Sequence, residues 1–179
     1  MTVRTIRTYG DPVLRQRANA VDDFDASLRR LVTDLRDTLA AAGGAGLAAP
    51  QIGVGQRVFV YVREGEIRHL VNPVLRDASD DELLDSEGCL SIPGLTYDLA
   101  RPRRIVAAGF DEHGEPVEIE GTERLARCFA HETDHLDGVL FIDRLPPDQR
   151  KRAKREIREM LLAGEDVRLG QSPHARFVG

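Results

Sequence analysis

Leu28, Leu31, Val32, Leu35 and Leu39 fall at helical spacing in an otherwise polar stretch, which predicts an amphipathic helix over about 25–42. Asp25 stands where an N-cap acceptor belongs, and Gly43-Gly44-Ala45-Gly46 supplies the stop. The pattern then changes. Residues 57–62 (Arg57-Val58-Phe59-Val60-Tyr61-Val62) are β-branched and aromatic and read as a strand. Residues 69–75 read as another, interrupted by Pro73, a residue that belongs on a sheet edge. Residues 104–110 and 116–120 flank Asp111-Glu112-His113-Gly114 and predict a hairpin. A second helix is predicted from about Arg124 to Leu136, with Leu125, Ala126, Phe129 and Leu136 as its apolar side and Gly138 as its stop. A last helix follows Pro146-Pro147, with Ala153, Ile157, Met160 and Leu161 as its buried stripe. From about residue 164 the periodicity is weak, and a mobile tail is expected.

Strands and helices do not alternate, so the fold class read here is α+β. Short mixed or antiparallel strands pack around a central helix in a single domain covering 1–179. The chain is 41% hydrophobic and 31% charged, as ordinary globular proteins are. A net charge of -5 gives no global attraction for DNA or an anionic membrane. No apolar run follows Arg4 and Arg7, and none elsewhere approaches the roughly 18 residues of a spanning helix, so a cytoplasmic location is expected. In a reducing cytosol the two cysteines, Cys89 and Cys128, are thiols, either core residues or metal ligands.

The chemistry concentrates in Ala130-His131-Glu132-Thr133-Asp134-His135-Leu136, an H-E-x-x-H pattern. On a helix, residues four apart share a face, so His131 and His135 can hold one metal ion. Glu132 lies about 100° round the axis, where it can reach a metal-bound water without binding the metal. The pattern alone recurs by chance, and its plain reading is a surface helix with solvated histidines. A catalytic metal also wants a third protein ligand. Downstream stand His174 in the tail and Glu156 and Glu159 on a charged helix face; upstream stands Cys89, between Gly88 and Leu90. Cys128 competes, one turn before His131, but three ligands from one helix at that spacing would crowd an ion, so it reads as an apolar wall beside the site.

Three segments together resemble the peptide deformylase family. They are Gly44-Ala45-Gly46-Leu47-Ala48-Ala49-Pro50-Gln51, then Glu87-Gly88-Cys89-Leu90-Ser91, then His131 to Leu136. They match the family's G-x-G-L-A-A-x-Q, E-G-C-L-S and H-E-x-x-H-L in order. The resemblance implies an amidohydrolase that takes the formyl group from the N-terminal methionine of nascent peptides. It implies one metal per chain on Cys89, His131 and His135, with Fe²⁺ native and Zn²⁺ or Ni²⁺ as common replacements. It makes Glu132 the general base and then acid, and Gln51 and the Leu90 N–H the oxyanion donors. Gly44, Ala45, Gly46 and Cys128 would border the substrate, with both glycines allowing close approach of an extended peptide. Glu87 and Arg101 would form an ion pair that steadies the cysteine loop. Ala130 stands where the family usually has glutamine. In family terms the last helix, with Arg150, Lys151, Arg152, Lys154, Arg155 and Arg158, would dock on ribosomal RNA; its plain reading is a solvated amphipathic helix. Two other classes compete. One is a related metallohydrolase acting as an endopeptidase or on another N-acyl amide. The other is a binding domain with a vestigial site, against which the presence of both Glu132 and Gln51 argues.

Overall fold

The leucine stripe forms α1 (Ala26–Ala42) in the computed structural model, which describes residues 2–163. The Asp25 carboxylate accepts the N–H groups of Ser27 and Leu28, meeting two donors that the helix itself leaves open. Gly43 ends the helix in the left-handed region. The buried face of Leu28, Leu31, Val32, Leu35 and Leu39 packs on Val58, Val60 and Val71 of a sheet.

That sheet has five antiparallel strands in the order β1 (Gly46–Ala48), β2 (Val58–Arg63), β3 (Glu66–Arg76), β6 (Arg104–Phe110), β7 (Pro116–Thr122). A separate two-stranded ribbon joins β4 (Glu82–Cys89) to β5 (Ile92–Pro102). Pro73 departs from its expected edge position, because β3 lies between β2 and β6. The ladder shifts register between Val71 and Val74, and Asn72 takes φ 49°, so the proline's missing N–H falls in a bulge. The Asn72 amide meets both backbone groups of Val21 across the bulge.

Strands β1, β4 and β5 were not expected. Most of β4 is exposed, so no apolar alternation marks it. On β5 the register shift after Gly88 pairs Cys89 with Ile92 and Gly88 with Thr96, leaving Pro93-Gly94-Leu95 looped out. An odd number of extra residues breaks the period of two that identifies a strand.

Two helices follow the sheet as expected, with a third short one between them. The first, α2 (Arg124–Leu136), runs through the middle of the molecule, and from Ala126 onward every residue except Thr133 is buried. A short helix, α3 (Phe141–Arg144), then plugs the interior with Phe141 and Ile142. The last, α4 (Pro147–Leu162), packs through Ala153 and Ile157. Its stripe is shorter than predicted. Met160 reaches the Gly94 turn, but there the helix leaves the body of the protein, and Leu161 and Leu162 are 50% and 77% exposed. The predicted tail and His174 lie outside the described residues. Among the described residues no helix is long and apolar enough to cross a membrane. The architecture is α+β, with antiparallel strands around a central helix.

Gly138 closes α2 at φ 72°, and a Cβ there would stand 2.7 Å from the backbone oxygen of Arg15. Both the left-handed backbone and the clash oppose a side chain. Gly138→Ala is expected to lower stability by about 1–3 kcal/mol, read as a lower urea midpoint. An unchanged midpoint would show that the Arg15 segment yields freely.

Candidate metal centre

A helix buried on nearly every side normally carries apolar residues all round. In α2 the buried set instead includes Arg127, His131, Glu132, Asp134 and His135. Each of these groups needs a partner to offset its loss of water. For Arg127, His131, Asp134 and His135 the β4–β5 ribbon supplies partners, with Arg144 adding to Asp134. The ribbon's tip is a two-residue turn, Leu90-Ser91, that sets Cys89 against the helix. Cys89 Sγ lies 3.1 Å from His135 Nε2. The ligand atoms of Cys89, His131 and His135 all lie within 4.8 Å of one another.

His131 is oriented from behind. Its Nδ1–H donates to Glu87 Oε1 at 2.8 Å, which leaves Nε2 for the cluster. The expected pair is present too: Arg101 Nη2 and Nε donate to the two Glu87 oxygens at 2.7 and 3.1 Å. Arg101 also reaches Asp134 at 2.9 Å, and Arg144 donates to the other Asp134 oxygen at 2.6 Å. Burial alone would raise the Glu87 carboxyl, but His131 and Arg101 outweigh it and hold Glu87 well below the usual carboxylate range.

The two thiols are driven apart. Burial would raise Cys89, yet His135 and His131 beside it bring it well below its ordinary value, which favours the thiolate, the form that binds metals. Cys128 is pushed well above its ordinary value by burial, with Glu132 and Glu87 adding to the effect. Its Sγ donates to the Ala45 oxygen at 3.6 Å and lies outside the three-residue cluster.

Glu132 is 3% exposed, its Oε2 has no partner among the described residues, and burial pushes its carboxyl up to about 7. Gln51 lies in a 3₁₀ turn (Ala49–Ile52), where the Ala48 N–H binds Oε1 at 2.8 Å. That contact turns Nε2 towards Ser91 Oγ at 3.2 Å and Cys89 Sγ at 3.7 Å. The close approaches at the glycines are to the protein's own side chains. A Cβ on Gly44 would stand 2.9 Å from Leu90 Cδ1, and one on Gly46 would stand 2.5 Å from Glu132 Oε1.

Three features were not picked out from the sequence. Ser91, fully buried, gives its N–H to Cys89 Sγ at 3.4 Å, and its hydroxyl oxygen accepts from Gln51. Arg127 joins the Glu87 cluster; its place one turn before His131, on the same face, was the available signal. The N-terminal segment forms a strap: the Arg7 N–H binds the Gln51 oxygen at 2.7 Å and the Tyr9 N–H the Ser91 oxygen at 2.8 Å. It ties together the two turns that carry Gln51 and Leu90, and no local pattern announces it.

A thiol drawn towards its ionised form, two convergent imidazoles and beside them a buried carboxylate oxygen with no partner among the described residues fit a divalent transition ion. The polypeptide deformylase family profile matches residues 3–151. The chain is 60% identical over 174 residues to the peptide deformylase of Acidothermus cellulolyticus, covering 97% of this chain and 96% of that one. It is 52% identical to that of Parafrankia sp., covering 99% and 98%. The peptide deformylase structure from Thermus thermophilus matches with a TM-score of 0.85 at 41% identity, covering 93% of this chain and 100% of that one. With the profile spanning most of its length and relatives this similar end to end, the chain belongs to the polypeptide deformylase family.

Proposed function

We propose that this protein removes the formyl group from the N-terminal methionine of newly made polypeptides in the cytoplasm, releasing formate. The observation that carries the reading is the convergence of Cys89, His131 and His135 beside Glu132, whose buried Oε2 has no hydrogen-bond partner among the described residues. Cys89, His131 and His135 would hold the ion, with Fe²⁺ as the native one and Zn²⁺ or Ni²⁺ able to use the same donors. The ion would supply Lewis acidity towards the formyl carbonyl and towards water.

The chain's own residues do the rest. Glu132, with a carboxyl near neutrality, takes a proton from the attacking water and passes it to the departing amine nitrogen. The water oxygen bonds to the formyl carbon, the C–N bond breaks, and formate and a free N-terminal amine result. Gln51 Nε2 and the Leu90 N–H donate to the oxygen that gains charge as the carbon becomes tetrahedral. Ala48 holds the Gln51 amide in that sense before substrate arrives. Gly44, Ala45, Gly46 and Cys128 border the space for the peptide, and the neutral Cys128 thiol adds no charge there. Docking of α4 on the ribosome has weaker support. Arg152 and Arg155 are matched by Glu156 and Glu159 one turn on, as on an ordinary solvated helix.

Cys89→Ala is expected to lose the bound metal, whereas Cys128→Ala keeps it, as read by metal analysis of protein prepared without oxygen. The reverse result would exchange the roles of the two thiols. Glu132→Gln should retain metal and fold while formate release falls by about 10²–10⁴-fold. Retention of most activity would remove Glu132 as the base. Gln51→Leu should lower turnover by about 10²–10³-fold with little change in KM; a loss confined to KM would make Gln51 a binding residue instead.

A further inference from the structure

The pair Glu87–Arg101 leaves part of the ribbon's attachment unexplained. Arg101, itself on β5, bonds the Glu87 side chain on β4 and the Asp134 side chain on α2, one anchor through side chains alone. Arg127 touches both strands. Its Nη2 donates to the Leu83 oxygen on β4 at 2.7 Å, and its Nη1 to the Leu99 oxygen on β5 at 2.8 Å. The same Nη1 reaches Glu87 Oε2 at 2.9 Å. One buried guanidinium therefore grips both strands of the ribbon and the carboxylate that orients His131.

The placement along the chain gives this grip its meaning. Arg127, His131 and His135 stand at successive four-residue intervals on α2, so they share a face. The ribbon held by Arg127 carries Cys89 at its tip, and the helix carries the two histidines. Glu87 lies two residues before Cys89 and accepts from Arg127 and His131 on the two different oxygens of one carboxylate. Through Glu87 a shift of the guanidinium would be passed both to the His131 ring and to the strand that ends in Cys89.

We infer that Arg127 is a positioning residue of the metal centre, setting the separation of Cys89 from the histidine pair and the orientation of His131. The inference rests on the metal reading above. A planar fork is required, because three acceptors in different directions must be met at once. A lysine offers a compact ammonium on a flexible stem and cannot span them. Groups that orient ligands in this way typically change metal affinity by about 10–100-fold when removed.

The test uses Co²⁺ as the probe with wild-type protein, Arg127→Met and Arg127→Lys. Three quantities are read: unfolding temperature without metal, Co²⁺ affinity by chelator competition, and the visible and near-ultraviolet absorption of the Co²⁺ form. Arg127→Met is expected to bind Co²⁺ about 10–100-fold more weakly and to shift the bands that report the thiolate and ligand geometry. Arg127→Lys should recover part of the unfolding temperature but neither the affinity nor the spectrum. If Arg127→Met does not fold, Arg127→Lys alone decides. Wild-type affinity and spectrum in a folded variant, with only the unfolding temperature lowered, would overturn the inference and leave Arg127 a brace. A wild-type protein without a thiolate-to-cobalt band would instead overturn the metal reading, and this inference with it.

Discussion

The carboxylate of Glu87 takes four hydrogen bonds from three side chains: two from Arg101, one from Arg127 and one from His131. It is 4% exposed, and a carboxylate so far from water survives as an anion only when its acceptor sites are filled. Filling them fixes three things at once. The β4–β5 ribbon is drawn onto α2, the His131 ring is held with one nitrogen forward, and Arg101 is left a free edge for Asp134. Through Asp134 and Arg144 the same network reaches α3, whose Phe141 ring stacks on His131. Buried ion networks contribute little net stability against apolar packing of equal volume. What this one contributes is a single arrangement of helix and ribbon.

The groups on the other side of the histidines are set by environment more than by identity. Two cysteines with the same intrinsic chemistry meet at one helix, Cys128 on α2 itself and Cys89 on the ribbon packed against it. The imidazoles beside Cys89 outweigh its burial and lower it; Cys128 is raised by burial, with the nearby carboxylates adding to the effect. Glu132 is likewise separated from Glu87. One has a buried oxygen without a partner among the described residues and sits near neutrality; the other takes four hydrogen bonds and stays charged. The helix thus carries one raised carboxyl and the partners of a second, charged one within one stretch, and the difference lies in which segment of chain each side chain meets.

Much of this was legible in the sequence where it depends on spacing. The stripe of α1, the hairpin of β6 and β7, and the His131–His135 pair all rest on local periods, and each is where the pattern puts it. Cys89 was legible through resemblance, since a cysteine between a glycine and a leucine has no period. The ribbon that carries it was missed for physical reasons: one strand is solvated on most positions, and the other is interrupted by three looped-out residues. Pro73 misled because a bulge supplies inside a sheet the freedom from pairing that an edge supplies outside it. The N-terminal strap, the Ser91–Gln51 contact and the grip of Arg127 on the ribbon join segments distant along the chain, and of these only Arg127, at helical spacing from His131, leaves a local trace.

The strap also bears on how the site comes into being. Arg7 and Tyr9 are among the first residues of the chain, yet they bind backbone oxygens near its middle, and the Ala18 N–H binds the Leu136 oxygen at the end of α2. Contacts so far apart along a chain form late, because the loop they close must be ordered before they return any energy. The site therefore cannot mature one motif at a time. Local elements such as α1 and the β6–β7 hairpin can form early, but the turns that carry the two proposed oxyanion donors are tied together only when the N-terminal segment has met the middle of the chain.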